Sequence, residues 1–82
     1  MTSLTIFVDG RQYASAKEMH LALKMMLDLP EHYGCNADAL HDCLSERREI
    51  ANLTVLHEGE GEVAVAIGKV RRVFADCGGI VK

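Results

Sequence analysis

"LPEHYGCNADALHDCL", residues 29 to 44, decides more about this fold than any other stretch. Pro30 closes whatever helix precedes it, because the residue before a proline avoids helical angles and proline has no N–H to donate. Gly34 permits a positive backbone angle, and Asn36 is a good N-cap for a helix expected from about Ala37 to Arg47 or Arg48. Ala37, Leu40, and Cys43 or Leu44, with Arg47 by its stem, are spaced to face a core. Asp38, Asp42 and Glu49 fall on another face, with Ser45 and Glu46 nearby.

On the N-terminal side, Leu4 to Val8 is rich in β-branched and aromatic side chains and stops at Asp9-Gly10, the pattern of a strand followed by a turn. "SAKE" (Ser15 to Glu18) has the capping-box spacing of a helix start. The spacing predicts a helix from about Ala16 to Leu27 with Met19, Ala22, Leu23, Met26 and Leu27 as its buried stripe.

On the C-terminal side, "NLTVLHE" (Asn52 to Glu58) reads as a second strand with Leu53, Val55 and His57 on one side. "GEGE" (Gly59 to Glu62) follows as a polar loop. The next stretch has two readings. Val63, Ala66 or Ile67, Val70, Val73 or Phe74, and Cys77 fit a helix, while Val63, Val65 and Ile67 alternate as a strand does. Gly68 weakens the helical reading before it, and Gly78 and Gly79 are natural terminators. "IVK" (Ile80 to Lys82) could be a short last strand. The whole, 1–82, is expected to be one α/β domain: a three-stranded, mostly parallel sheet packed with about three helices.

Composition narrows function. A chain of 82 residues, 49% hydrophobic and 26% charged, has the proportions of a globular domain with one modest core. Its apolar runs are far short of the roughly 18 to 20 residues that span a bilayer, and no secretory signal is visible, so a cytoplasmic location is expected. Three cysteines (Cys35, Cys43, Cys77) are an odd number without close pair spacing, which fits reduced thiols. A net charge of -3 disfavours nucleic acid and suits a basic protein partner.

Asp38 and Asp42, four apart, lie one above the other on a helix, an arrangement that slightly destabilises it. The pair is either a solvated acidic face or a functional one. A hydrolase pair would need a deep cleft, and this chain has little material to build one. His32, Cys35 and His41 are plausible metal donors, yet their spacing matches no closed site. Cys43 and Cys77 sit at apolar helical positions and read as buried small hydrophobes. "KVRR" (Lys69 to Arg72) reads as a solvated helix face, and "EGEGE" lacks the Lys and Ser or Thr of a phosphate loop.

The same stretch that opens this reading resembles a segment of the barstar family, bacterial cytosolic inhibitors of a secreted ribonuclease. The family pattern is close to L-P-x-x-Y-G-x-N-x-D-A-L-x-D-x-L, and Leu29, Pro30, Tyr33, Gly34, Asn36, Asp38, Ala39, Leu40, Asp42 and Leu44 fit it without a gap. The resemblance implies that the loop and second helix insert acidic groups into a ribonuclease active site in place of substrate phosphates. By position that role falls to Asp38 and Asp42, with Asn36 and Gly34 shaping the loop.

Departures fall at the interface. His32 stands where the family has a Tyr, His41 replaces a Trp, and Glu46 and Arg47 replace a Gly and a Trp. Asp76 can be laid on the last helix of the family, where an acidic residue touches the enzyme. The family's third helix looks trimmed or missing, and its last strand is a stub. The resemblance implies a monomeric inhibitor with no enzymatic activity and no cofactor, whose partner is a basic ribonuclease or related basic protein. The alternative is a module of the same fold with another partner, or with a metal-binding role for His32, Cys35 and His41.

Overall fold

The computed structural model describes residues 3–82. Strand β1 is Ser3–Asp9 and strand β2 is Ile50–His57. They pair in parallel, Ser3 beside Ile50 through Val8 beside Val55, with an irregularity between Val8 and Asp9. Helices α1 (Ala16–Leu27) and α2 (Ala37–Ser45) lie between the strands in sequence, and α3 (Gly61–Asp76) follows β2. A short 3-10 turn, Gly10–Gln12, leads out of β1, its Arg11 N–H donating to the Asp9 side chain at 3.0 Å.

The strands alternate as a half-buried sheet should: Ile6 and Val8 of β1 and Ala51 and Leu53 of β2 are buried. His57 does not share that face as the sequence suggests. The strand runs past the core at its C-terminal end, where His57 is exposed and its Nδ1 accepts the Gly59 N–H at 3.0 Å.

The expected third strand is corrected. Residues 80–82 lie parallel along β2, with Leu53 N–H donating to the Ile80 carbonyl at 2.9 Å, Lys82 N–H to Leu53 at 2.9 Å and Val55 N–H to Lys82 at 2.8 Å. They form a single bridge, Leu53 with Val81, so the sheet has two strands and a stub. Three residues are too short a run to build successive bridges. The Asn52 side chain secures the stub by accepting the Ile80 N–H at 2.8 Å. Gly79 lets it approach: a Cβ there would stand 2.0 Å from the Ala51 carbonyl oxygen.

Helix α1 begins as its sequence predicts. Ser15 Oγ accepts the Glu18 N–H at 3.2 Å, and Glu18 reaches back to the Ala14 N–H at 3.1 Å. A second carboxylate, Glu62 of α3, accepts the Ala16 N–H at 3.3 Å. The helix stops before Pro30 acts on it. Asp28 takes a left-handed conformation (φ 53°) and Leu29 N–H returns to the Lys24 carbonyl at 2.9 Å, a Schellman-type end. Met19, Leu23 and Leu27 are buried as expected, Met26 is 37% exposed, and His20 takes an unforeseen place inside at 4% exposure.

The ambiguous stretch is one continuous helix. Val63, Ala66, Ile67, Val70, Val73 and Phe74 are buried while Val65 is 60% exposed, which is the helical period and not the strand alternation. Gly68 lies on the exposed side with nothing near its Cβ position, so it weakens the helix without breaking it. The turn at 58–60 leads straight into α3, and no helix separates it from β2 among the described residues. Phe74, Met19, Leu23, Leu27, Leu40, Leu53 and Ile67 are fully buried together, each worth about 1.5 to 3 kcal/mol of transfer from water.

Candidate functional site

The loop between α1 and α2 is held at several points. Leu29 and Tyr33 are buried in the core, and Tyr33 N–H donates to the Pro30 carbonyl at 3.0 Å, closing a turn. The Tyr33 hydroxyl lies 2.7 Å from His20 Nδ1, in buried contact with α1. Burial pushes the Tyr33 hydroxyl well above the ordinary phenol range, with the Cys35 and Cys43 thiols adding to it, and burial pushes His20 down. Both shifts favour the neutral pair, in which the hydroxyl donates to the ring nitrogen. Lys24 and Glu31 pair across the loop's outside at 3.4 Å.

The positive backbone angle expected at Gly34 falls instead on Cys35 (φ 53°). Gly34 matters by space: a Cβ there would sit 3.2 Å from Asn36 Nδ2 and 3.5 Å from Ala39 Cβ. Asn36 caps α2 as its sequence position predicts. Its Oδ1 accepts the Ala39 N–H at 2.8 Å, and its Nδ2 donates to the Gly34 carbonyl at 3.1 Å, so one side chain ties loop to helix.

Helix α2 buries Leu40 and Leu44 and exposes Asp38, His41, Asp42 and Glu46. It ends at Ser45, short of the expected Arg47, because Arg47 is used elsewhere. One guanidinium nitrogen donates to the Leu27 carbonyl at 2.6 Å, meeting an orphan carbonyl at the end of α1, and another pairs with Glu49. The Arg47 Nε is buried without a partner.

Two grooves flank α2. The first, of about 550 Å³, runs between the loop and the helix and is lined in part by Asp28, His32, Gly34, Asp42, Glu46 and Arg47. The second, of about 460 Å³, lies toward the ends of α2 and α3 and takes in His41, Arg47, Arg48, Glu49 and Asp76. Arg47 is the wall between them. Asn36 belongs to a third recess, of about 380 Å³, with His20, Cys35, Glu62 and Lys69. Asp38 lines none of the three.

Asp38, Asp42 and Glu46 follow one another at four-residue steps, so their side chains form a stripe along α2. No cation of the chain pairs with any of them among the described residues. Burial raises the Cys43 thiol, and Glu46 and Asp42 raise it further against the opposing pull of Arg47. A raised value favours the protonated thiol, which is the poorer nucleophile. Burial and Asp76 likewise raise Cys77, whose Sγ reaches the His41 carbonyl at 4.0 Å and joins α3 to α2.

The metal donors weighed from sequence do not converge. His32, Cys35 and His41 line three different recesses, and no three His, Cys, Asp or Glu side chains come together for a metal among the described residues. No helix among them is long and apolar enough to cross a membrane.

A capped helix presenting carboxylates beside a pinned loop also sets this chain among known proteins. Residues 3–77 match the family model described as "Barstar (barnase inhibitor)". The chain belongs to the barstar family. A protein of Bacillus subtilis (strain 168), named "Putative ribonuclease inhibitor YrdF", is 48% identical over 40 residues. The match takes in 49% of this chain and 44% of that protein, so the chain spans less than half the length of this relative. Barstar membership accounts for the α/β class, and its description is that of an inhibitor.

Sequence reasoning singled out Asp38, Asp42, Asn36 and Gly34 as candidates. It did not single out Asp28, which lines the first groove at the left-handed end of α1, or His20, which meets the loop through Tyr33. A polar residue next to Met19 within a buried stripe was the available signal for His20.

Proposed function

We propose that this protein inhibits a basic ribonuclease by placing the carboxylates of α2 where the enzyme would hold substrate phosphates. The observation that carries the reading is the stripe Asp38, Asp42 and Glu46. Like charges at four-residue steps cost a helix about 0.2 to 0.5 kcal/mol per pair, and Glu46 stands at the C-terminal end, where the helix dipole opposes it. A face that carries such a cost with no ion pair to a cation among the described residues is suited to cations supplied from outside. A ribonuclease active site gathers Arg, Lys and His for phosphate and is that kind of surface.

In this reading Asp42 and Glu46 act from the first groove, with Gly34 and Asn36 fixing its rim and Asp38 extending the acidic face. His41 and Asp76 contact the partner from the second groove. His32, His41, Glu46 and Arg47 adapt the site to a ribonuclease differing from barnase. The protein works as a binder and not as an enzyme, needs no cofactor, and acts in the cytoplasm.

The test is binding to a ribonuclease that co-purifies with the chain. Asp42→Ala should weaken the complex roughly thirtyfold or more, about 2 kcal/mol, the general scale for an interface hot spot, of which barstar itself is a standard measured case. Raised salt should slow association much more than dissociation in stopped-flow mixing. Equal affinity of wild type and Asp42→Ala would overturn the proposal.

A further inference from the structure

Arg47 is the one Lys or Arg among the residues lining the first groove, which it shares with Asp42 and Glu46. A guanidinium beside two carboxylates ordinarily pairs with one of them, and Glu46 is its neighbour in the chain. No ion pair joins Arg47 to either among the described residues. Its Nη1 donates to the Leu27 carbonyl at 2.6 Å, and its Nη2 donates to Glu49, which lines the second groove and not the first. This pose leaves Nε buried without a partner, a cost that the two bonds offset. Of the two acceptors only Glu49 is charged, so it supplies the stronger hold.

We infer that Glu49 is a positioning residue for inhibition: by pairing with Arg47 it keeps the chain's own guanidinium off Glu46 and Asp42, leaving the stripe open to cations of the partner. The inference rests on the inhibitory reading of α2. A freed Arg47 would act twice against a basic enzyme. It would occupy carboxylates that the enzyme's cations need, and it would set positive charge against positive charge. An internal ion pair of the strength ordinary at a protein surface would close the stripe for roughly half to four-fifths of the molecules, and affinity falls with the open fraction.

Binding of the co-purifying ribonuclease to a set of variants tests it. Glu60→Gln, which removes an exposed carboxylate lining neither groove, is the control for lost charge. Glu49→Gln should weaken the complex roughly two- to sixfold beyond that control. In an Arg47→Met background Glu49→Gln should weaken it no more than the control does, because the competing cation is gone. In the free protein, the 13C signal of the Glu46 side-chain carboxyl should move on Glu49→Gln and hold its place on Glu60→Gln, a readout that needs neither the enzyme nor the Arg47 variant. Circular dichroism checks the folding of each variant.

An unmoved Glu46 signal overturns the inference, as does a Glu49→Gln protein that binds as tightly as Glu60→Gln. So does an equal loss with and without Arg47, since Glu49 would then touch the enzyme itself. A complex that senses Asp42→Ala but not Glu49→Gln removes only the role of Glu49, whereas one that ignores Asp42→Ala removes the inhibitory reading beneath it.

Discussion

His20 and Tyr33 form the one buried polar pair of the core among the described residues, and their neutrality gives the fold a pH dependence. Burial lowers the His20 value below the 6.5 of a free histidine. As pH falls through that range the unfolded chain takes up a proton that the folded His20 refuses, so stability declines on acidification until the lowered value is reached. Chemical denaturation between about pH 7 and pH 5 should show this decline, and His20→Gln should flatten it. Tyr33 is readable from the motif, but its partner is not, because a histidine on a helix invites an exposed reading until the packing of both elements is known. Cys35 is hidden for the opposite reason: glycine is the default for a positive backbone angle, and here the residue after Gly34 adopts it.

Helix α2 shows which features of an element are local. Its start is legible because Asn36 satisfies its own backbone within three residues. Asn36→Ala should cost about 1 kcal/mol in urea unfolding, and Asn36→Asp, which keeps the accepting oxygen, should recover most of it. The helix end is not legible, since Arg47 leaves the helical path for the Leu27 carbonyl twenty residues earlier in the chain. Neither is the helical state of residues 61–68, where both periods fit and only the burial of Ala66 beside the exposure of Val65 decides. Arg47→Met should cost roughly 2 kcal/mol of stability, because it strands a helix-end carbonyl and Glu49. A double-mutant cycle with Glu49→Gln would separate the two bonds.

For the molecule as a whole, the α/β class and the order of elements were legible from periodicity and turn residues, but the strand count was not. A three-residue run has too little pattern to tell a strand from a stub, and its position depends on the close approach of Gly79 to the Ala51 carbonyl at the edge of β2. Gly79→Ala should therefore destabilise the protein by about 3 kcal/mol, because the Cβ would press on backbone that cannot rotate away. A lowered denaturation midpoint with an unchanged denaturant slope would check it.

Residue 3 of β1 stands beside residue 50 of β2, with both of the first helices in between. Bringing two such distant segments together costs the unfolded chain about 3 kcal/mol of closure entropy beyond a constant, before any sheet hydrogen bond rewards it. The sheet is accordingly expected to form late in folding. Helical signal should rise ahead of strand pairing in a stopped-flow refolding trace, and the protein should refold more slowly than a helical bundle of its size.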